Sequence, residues 1–363
     1  MQENEGDYMK VILLAPTPPP AGGIAGWTKR MMQAKLKNGW QVVVVDERVI
    51  GGREVFGSKS KKKLHVEIVR CLRIWWDLWK ALSDEEATVV HSCIPSATLS
   101  MLREYVCALI TKLHRRKFII HFRCTVPNTT KGKFGNWMLR RMCNISDLVM
   151  VLNGQTVDYI QPITKTPIVL IPNFIDATEL SDQREINPEL KNIVYVGGVI
   201  AEKGCLEIIE AAKAHPGITF RLVGQPDEEI VAAAQNVSNV FLVGATDRQG
   251  VQQELARADA FVFLSYFSGE GFSNALAEAM AAGLPCVVTD WAANADMIED
   301  QGGVVIPVRS AEKAIKAIET IKPQAVRQKM SLFNVDKVNT SYSAAKVLDM
   351  YVEAYEMCRE VSK

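Results

Sequence analysis

Residues 260–290 read AFVFLSYFSGEGFSNALAEAMAAGLPCVVTD. An apolar run, Ala260–Leu264, gives way to a loop carrying Gly269 and Gly271. Ser273 and Asn274 are capping residues at the head of Ala275–Ala282, where Ala, Leu and Met recur at helical period. Gly283 and Pro285 stop that helix, and Pro285–Thr289 begins another apolar run. The stretch is a strand, a loop, a capped helix and a second strand. Neither run alternates polar with apolar, which is the pattern of parallel strands covered on both faces.

The same alternation extends in both directions. Toward the N-terminus the runs are Val11–Ala15, Val42–Asp46, Val89–His91, Phe118–His121, Leu148–Val151 and Ile168–Ile171. The second half adds Ile193–Val196, Thr219–Val223, Val240–Val243 and Val304–Pro307 to the two already quoted. Helix-period segments such as Cys205–Ala214 separate them. Strand alternating with helix predicts an α/β protein of two tandem doubly wound, Rossmann-like domains, with ligands bound beyond the carboxyl ends of the strands in a cleft between them. The Pro172-Asn173 turn and the polar 181–188 stretch mark the joint. Expected domains are 1–175 and 176–341, with a helix over Tyr342–Glu360 inside a closing segment, 342–363, that packs back on the first.

At about 150 residues per domain, a chain of 363 agrees with two. With 48% hydrophobic and 23% charged residues, collagen-like, disordered and disulfide-scaffold classes are excluded. The polar start lacks a secretory leader and no apolar run nears the ~18 residues of a membrane span, so a cytoplasmic location is expected. The eight cysteines contain no C-x-x-C pair and read as reduced, buried thiols. The net charge of +1 conceals a split. Residues 1–175 hold 25 Lys+Arg against 14 Asp+Glu, and the remainder 17 against 27. The first half should meet something anionic.

The loop-to-helix junction at Ser273 is an anion site by construction, because free amides and the positive helix end meet there. Two carboxylates flank it: Glu270 just before the helix and Glu278 in its second turn. Carboxylates repel phosphate but accept sugar hydroxyls in pairs. Phosphate on amides beside hydroxyls on acids describes a nucleotide-sugar site; the plain alternative is two solvated acids beside a turn.

The Glu270-x7-Glu278 spacing, with Gly271-Phe272 and Ala279-Met280-Ala-Ala-Gly283-Leu-Pro285, resembles the signature of retaining glycosyltransferases of family 4 (GT-B fold). Gly22-Gly23-Ile24, Pro172-Asn173-Phe174-Ile175-Asp176 and Val196-Gly197-Gly198…Glu202-Lys203-Gly204 extend the resemblance over nearly the whole chain. It implies that Glu278 holds the donor ribose, Glu270 the transferred sugar and Lys203 the diphosphate. Gly271, Phe272, Ser273 and Asn274 would line the donor site, with amides of the last three turned to the diphosphate and sugar. Gly22 and Gly23 would approach the phosphates from the other domain, and His121 would lie near the reacting sugar. His91, Arg123 and Asn173 are auxiliary candidates. One departure stands out. The family usually places an arginine where this chain has Gly198, and Arg123 is the candidate substitute.

Several chemistries are missing from the sequence. There is no D-x-D triplet and no His/Cys/Asp cluster with metal-ligand spacing, so no metal is expected. Neither a P-loop nor a G-x-G-x-x-G after the first strand occurs, against an NTPase or dehydrogenase. In the basic half, Lys59 and Lys61–Lys63 precede a helical stretch, 64–82, with Trp75, Trp76 and Trp79 among Arg70, Arg73 and Lys80. A second cluster follows at 112–117. This mix suits an anionic membrane surface. RNA stacking and simple core packing are its alternatives.

The expectation is a transferase that moves a sugar from a UDP- or GDP-type donor to a lipid-linked or glycan acceptor with retention. It would serve polysaccharide or glycolipid synthesis, docked on the inner face of the cell membrane and without nucleic acid. The alternatives are a catalytically weak nucleotide-sugar-binding scaffold and a nucleotide-sugar epimerase.

Overall fold

The computed structural model describes residues 9–19, 22–49, 64–84, 86–176 and 184–360. The chain divides into two units, one comprising Met1–Asn173 with Val347–Lys363 and the other Phe174–Lys346.

In the first unit β1 (Met9–Ala15) leads through α1 (Gly23–Gln33) to β2 (Trp40–Asp46), and α2 (Leu64–Leu82) to β3 (Ala87–Ile94). Then come α3 (Thr98–Leu113), β4 (Lys117–Phe122), α4 (Val126–Thr129) and α5 (Gly132–Ile145). β5 (Leu148–Val151), α6 (Gly154–Ile160) and β6 (Ile168–Leu170) complete the run. The six strands form one sheet in the order β2-β1-β3-β4-β5-β6, all paired in parallel. Val11–Ala15 is at most 1% exposed, as a strand covered on both faces requires. Each Val, Ile and Leu side chain among them contributes about 1.5–3 kcal/mol of burial.

The second unit repeats the plan: β7 (Asn192–Val196), α7 (Cys205–Ala214), β8 (Thr219–Val223), α8 (Glu228–Ala234), β9 (Val240–Gly244) and α9 (Arg248–Arg257). β10 (Ala260–Phe263), α10 (Asn274–Ala281), β11 (Cys286–Thr289), α11 (Asn294–Ile298) and β12 (Gly303–Ile306) follow. α12 (Ala311–Ile321) and α13 (Gln324–Lys337) close it. Its parallel sheet runs β12-β11-β10-β7-β8-β9. The quoted stretch 260–290 is β10, α10 and β11, with Ser273 capping α10 through Leu276 N at 3.2 Å.

Each sheet therefore reverses direction once, between β1 and β3 in the first and between β7 and β10 in the second. The connections leaving those paired strands run to opposite sides, which opens a crevice at their carboxyl ends.

The closing helix differs in its start. α14 spans Ala344–Glu360, because Ser343 is extended (φ −63°, ψ 146°) and ends the π-turn Val338–Tyr342. Tyr342 belongs to the second unit, its ring edge-on to Phe272 at 5.2 Å.

Candidate functional site

At the reversal point of the second sheet, the loops after β7 and β10 stand side by side. Lys203 ends the 3-10 turn Ala201–Lys203, and Glu270 lies in the loop between β10 and α10. Their side chains form an ion pair, both mostly buried. Ser265, fully buried, donates its hydroxyl to the same Glu270 oxygen at 3.3 Å. The pair is built on a braced frame. Tyr266 N donates to Glu202 O at 2.9 Å, tying the two loops together. Trp291 Nε1 donates to Phe267 O at 2.8 Å, and Thr289 Oγ1 to Ser265 O at 2.6 Å. Lys203 Nζ also sits 4.8 Å from the Phe267 ring, a cation–π distance.

Beyond this pair the backbone enters α10. Gly271, Phe272 and Ser273 are buried, while Asn274 and Glu278 are half-buried. The first turn of a helix has amides without intrahelical partners, and Ser273 Oγ takes one of them, leaving the positive helix end beside the Lys203–Glu270 pair. Glu278 stands one turn further along the same helix.

The glycines around Lys203 separate into two kinds. Gly204 has φ +79°, and a Cβ there would stand 2.2 Å from Leu264 O, so only glycine fits. Gly198 has an ordinary φ and open space within 4 Å of where its Cβ would stand. A side chain is sterically welcome there. At the first sheet's reversal point, Gly22 is the extended N-cap of α1 (φ −174°) and Gly23 its first residue, again with open space where a Cβ would stand.

Four candidates of the first unit, His91, His121, Arg123 and Asn173, are gathered in its interior. Strand pairing sets Cys93 opposite His121, which puts His91 diagonal to it. His121 Nδ1 lies 3.0 Å from His91 Nε2, and His91 Nδ1 lies 2.9 Å from the Tyr355 hydroxyl of α14. Both histidines are fully buried. Burial, then the charge of Arg123, lowers the His91 pKa to about 3. The same two causes, and then His91, hold His121 well below the usual histidine value. Both rings are therefore neutral. The sequence reading sets His121 against the sugar; in this structure its ring lies inside the unit, Nε2 3.4 Å from Arg123 Nη1.

Arg123 is engaged within the same unit. Its guanidinium lies 4.5 Å over the Trp27 ring, donates to Asn173 Oδ1 and lies 3.4 Å from the Tyr351 hydroxyl. At 8% exposure its guanidinium is largely covered by its own unit. The absence of a metal-type cluster, read from spacing, needs correcting. His91, Cys93 and His121 place one ligand atom each within 4.8 Å of the others. Only the β3–β4 register creates that cluster. The nearby Arg123 charge opposes a further cation, and burial raises the Cys93 thiol to about 12, keeping it protonated.

Sequence reasoning missed Ser265, Trp27, Tyr351 and Tyr355, none of which belongs to a motif; their roles arise from packing. It also misassigned part of α2. Arg70 Nε donates to Glu47 O at 2.8 Å and Arg73 Nη2 to Asp46 O at 3.0 Å, so both are tied to the end of β2. Trp75 faces inward, its Nε1 3.4 Å from Arg103 O. The lysines at 59 and 61–63 lie outside the described residues.

Two family models match the chain in tandem: Glycosyltransferase Family 4 over residues 21–179 and Glycosyl transferases group 1 over 176–331. Among curated proteins, a phosphatidyl-myo-inositol mannosyltransferase of Propionibacterium freudenreichii is 26% identical over 208 residues, covering 55% of this chain and 53% of its own. A processive diacylglycerol alpha-glucosyltransferase of Acholeplasma laidlawii is 24% identical over 49% of this chain and 62% of its own. The chain thus spans between half and two thirds of the length of these relatives. Among solved structures, a sucrose-phosphate synthase from Thermosynechococcus elongatus has a TM-score of 0.77 at 15% identity, covering 96% of this chain and 98% of its own. Anabaena HepE, solved with UDP and glucose, has a TM-score of 0.71 at 13% identity, covering 96% and 100%.

Proposed function

Because the chain belongs to the family-4-like glycosyltransferases of the GT-B fold, we propose that it transfers a sugar from a UDP- or GDP-linked donor to a lipid-linked or glycan acceptor, with retention. The observation that carries this is the Lys203–Glu270 pair, braced at the sheet's reversal point and followed by the Ser273-capped helix that bears Glu278. The diphosphate sits on the first turn of α10 with Lys203 beside it, and a donor displaces Lys203 from Glu270. Glu270 is then released to accept sugar hydroxyls, and Glu278 accepts those of the ribose.

In the transfer, the bond from the anomeric carbon to the leaving phosphate oxygen breaks. The acceptor oxygen bonds to the same face of that carbon, and its proton passes to the departing phosphate. Lys203 and the helix end stabilise the charge that develops on the diphosphate. A resident metal has no part in this reading, so chelation with EDTA should leave turnover intact. The part that the family resemblance gives His121 near the sugar would require its buried ring to be uncovered when ligands bind. The names of the two curated relatives favour a lipid acceptor, since both describe transfer to glycerolipids.

Incubation with a panel of UDP- and GDP-sugars tests the proposal. One donor is expected to raise the melting temperature and to be hydrolysed slowly. No thermal shift and no turnover with any donor would end it. Conversion of one nucleotide-sugar to another without acceptor would make the protein an epimerase. Gly198 favours a second reading, a donor-binding protein of weak activity, which tight binding without turnover on any lipid or glycan acceptor would support.

A further inference from the structure

The solvent side of α2, α3 and α5 is apolar where a soluble helix is normally polar. On α2, Ile68, Val69, Leu72, Trp76 and Trp79 are all exposed and follow helical spacing along one stripe. The opposite stripe, Ile74, Leu78 and Leu82, is the one that packs on the sheet. α3 repeats the pattern: Leu99, Leu102, Leu109 and Leu113 face outward, the first and last 79% and 73% exposed. On α5, Phe134 and Trp137 stack at 5.6 Å while half exposed. These helices are neighbours, α2 packing on α3 and α3 on α5, and Trp79 meets His114, at the end of α3, edge-on at 4.5 Å. The stripes therefore belong to one surface of the first unit.

The charges on that surface are predominantly positive: Glu67 and Asp77 of α2 are half-buried, Glu67 paired with Arg70, and Asp84 beyond the end of α2 is exposed and paired with Lys10. No exposed position of the three helices carries Asp or Glu among the described residues. Lys80, Lys133, Arg140 and Arg141 are exposed there, and Arg115 and Lys131 lie exposed at the helix ends. Lys80 Nζ lies 5.4 Å over the Trp76 ring and Arg141 lies 5.6 Å over Trp137, so cations and indoles alternate.

We infer that this three-helix face docks on an anionic lipid bilayer. Leucines of this exposure have no use for water, indoles settle at headgroup depth, and an excess of exposed cations over acids matches anionic headgroups. The face is separate from the donor residues of the second unit, and it needs neither Trp75 nor the lysines at 59 and 61–63. Arg70 and Arg73 fix α2 to the end of β2, so the docking helix is held rigidly on the sheet.

The test is sedimentation with vesicles of phosphatidylglycerol and phosphatidylcholine, against vesicles of phosphatidylcholine alone. The full chain should sediment with the first and much less with the second, and brominated lipid should quench its tryptophan fluorescence. The combined variant Trp76→Ser, Trp137→Ser, Leu99→Gln, Leu113→Gln should lose at least fivefold in the bound fraction, with an unchanged melting temperature and unchanged donor hydrolysis. Wild-type protein left in the supernatant, or unquenched by brominated lipid, overturns the inference whether or not the variant folds. So does a folded variant that sediments like wild type. A wild-type dimer that the substitutions convert to monomer in light scattering also overturns it, because the face would then meet a second copy. Vesicle binding without donor turnover would count against the proposed function alone and uphold the docking face.

Discussion

Lys203 and Glu270 form an ion pair with one another, although the proposed mode gives each to a different part of the same donor. In that mode the pair makes donor binding an exchange: the diphosphate takes the ammonium, and the carboxylate is freed for the sugar. Lys203→Ala should weaken binding of the nucleoside diphosphate by about 10- to 100-fold, the worth of a charge-assisted hydrogen bond of about 1.5–3 kcal/mol. Glu270→Gln should act oppositely on the free diphosphate, tightening it severalfold by removing the competitor, while lowering transfer. Titration calorimetry reads both, and equal affinities in all three proteins would remove the exchange.

Glu278→Ala should leave turnover near wild type and raise the donor KM about tenfold, because a ribose contact is present in ground and transition states alike. Steady-state kinetics with the preferred donor checks this split. A fall in kcat with KM unchanged would move Glu278 from the ribose to the reacting sugar.

Gly198→Arg should fold, since the backbone there is ordinary and the space where a Cβ would stand is open. With Arg123 engaged by Trp27, Asn173 and Tyr351, the added cation should tighten nucleoside diphosphate binding by about tenfold, roughly 1.4 kcal/mol. A folded variant of unchanged affinity would show that another group already neutralises that position.

The paired histidines predict a pH dependence of stability. Their folded pKa values lie below the unfolded value of about 6.5, so the unfolded chain binds protons that the folded one refuses. Their stabilising contribution is complete above pH 6.5 and is lost as pH falls, for His91 down to about 3. Each histidine adds a slope of about 1.36 kcal/mol per pH unit in that window. Denaturant titrations between pH 7 and pH 5 should show the slope, and His91→Asn should reduce it. An unaltered slope in that variant would mean that His91 titrates normally in the folded state.

The strands were legible because a parallel strand covered on both faces leaves no polar alternation, and Val11–Ala15 or Cys286–Thr289 admits few other readings. The α10 junction was legible because Ser273, Gly283 and Pro285 act locally. What required coordinates is whatever depends on pairing or on which way a helix turns. Spacing cannot tell Trp75, which faces in, from Trp76, which faces out. The leucines of α3 follow helical period on either face, so spacing does not separate the exposed stripe from the core. His91 meets His121 only because Cys93 falls opposite it in the β3–β4 register, and Arg123 is covered by Trp27, a residue in no motif.

Tyr351 and Tyr355 lend the first unit a timetable. The Trp40 and His91 rings pack against Tyr355, and Trp27 and Arg123 against Tyr351, yet both tyrosines are translated only after the whole of Phe174–Lys346. At about 5–20 residues per second, a ribosome needs roughly 10–35 s to cover that interval. Throughout it, the emerging first unit lacks the two rings that pack on Trp27, Trp40 and His91. A released chain truncated before residue 347 should therefore be cut by protease within the first unit and resist within the second. Supplying the α14 segment as a separate peptide should restore resistance.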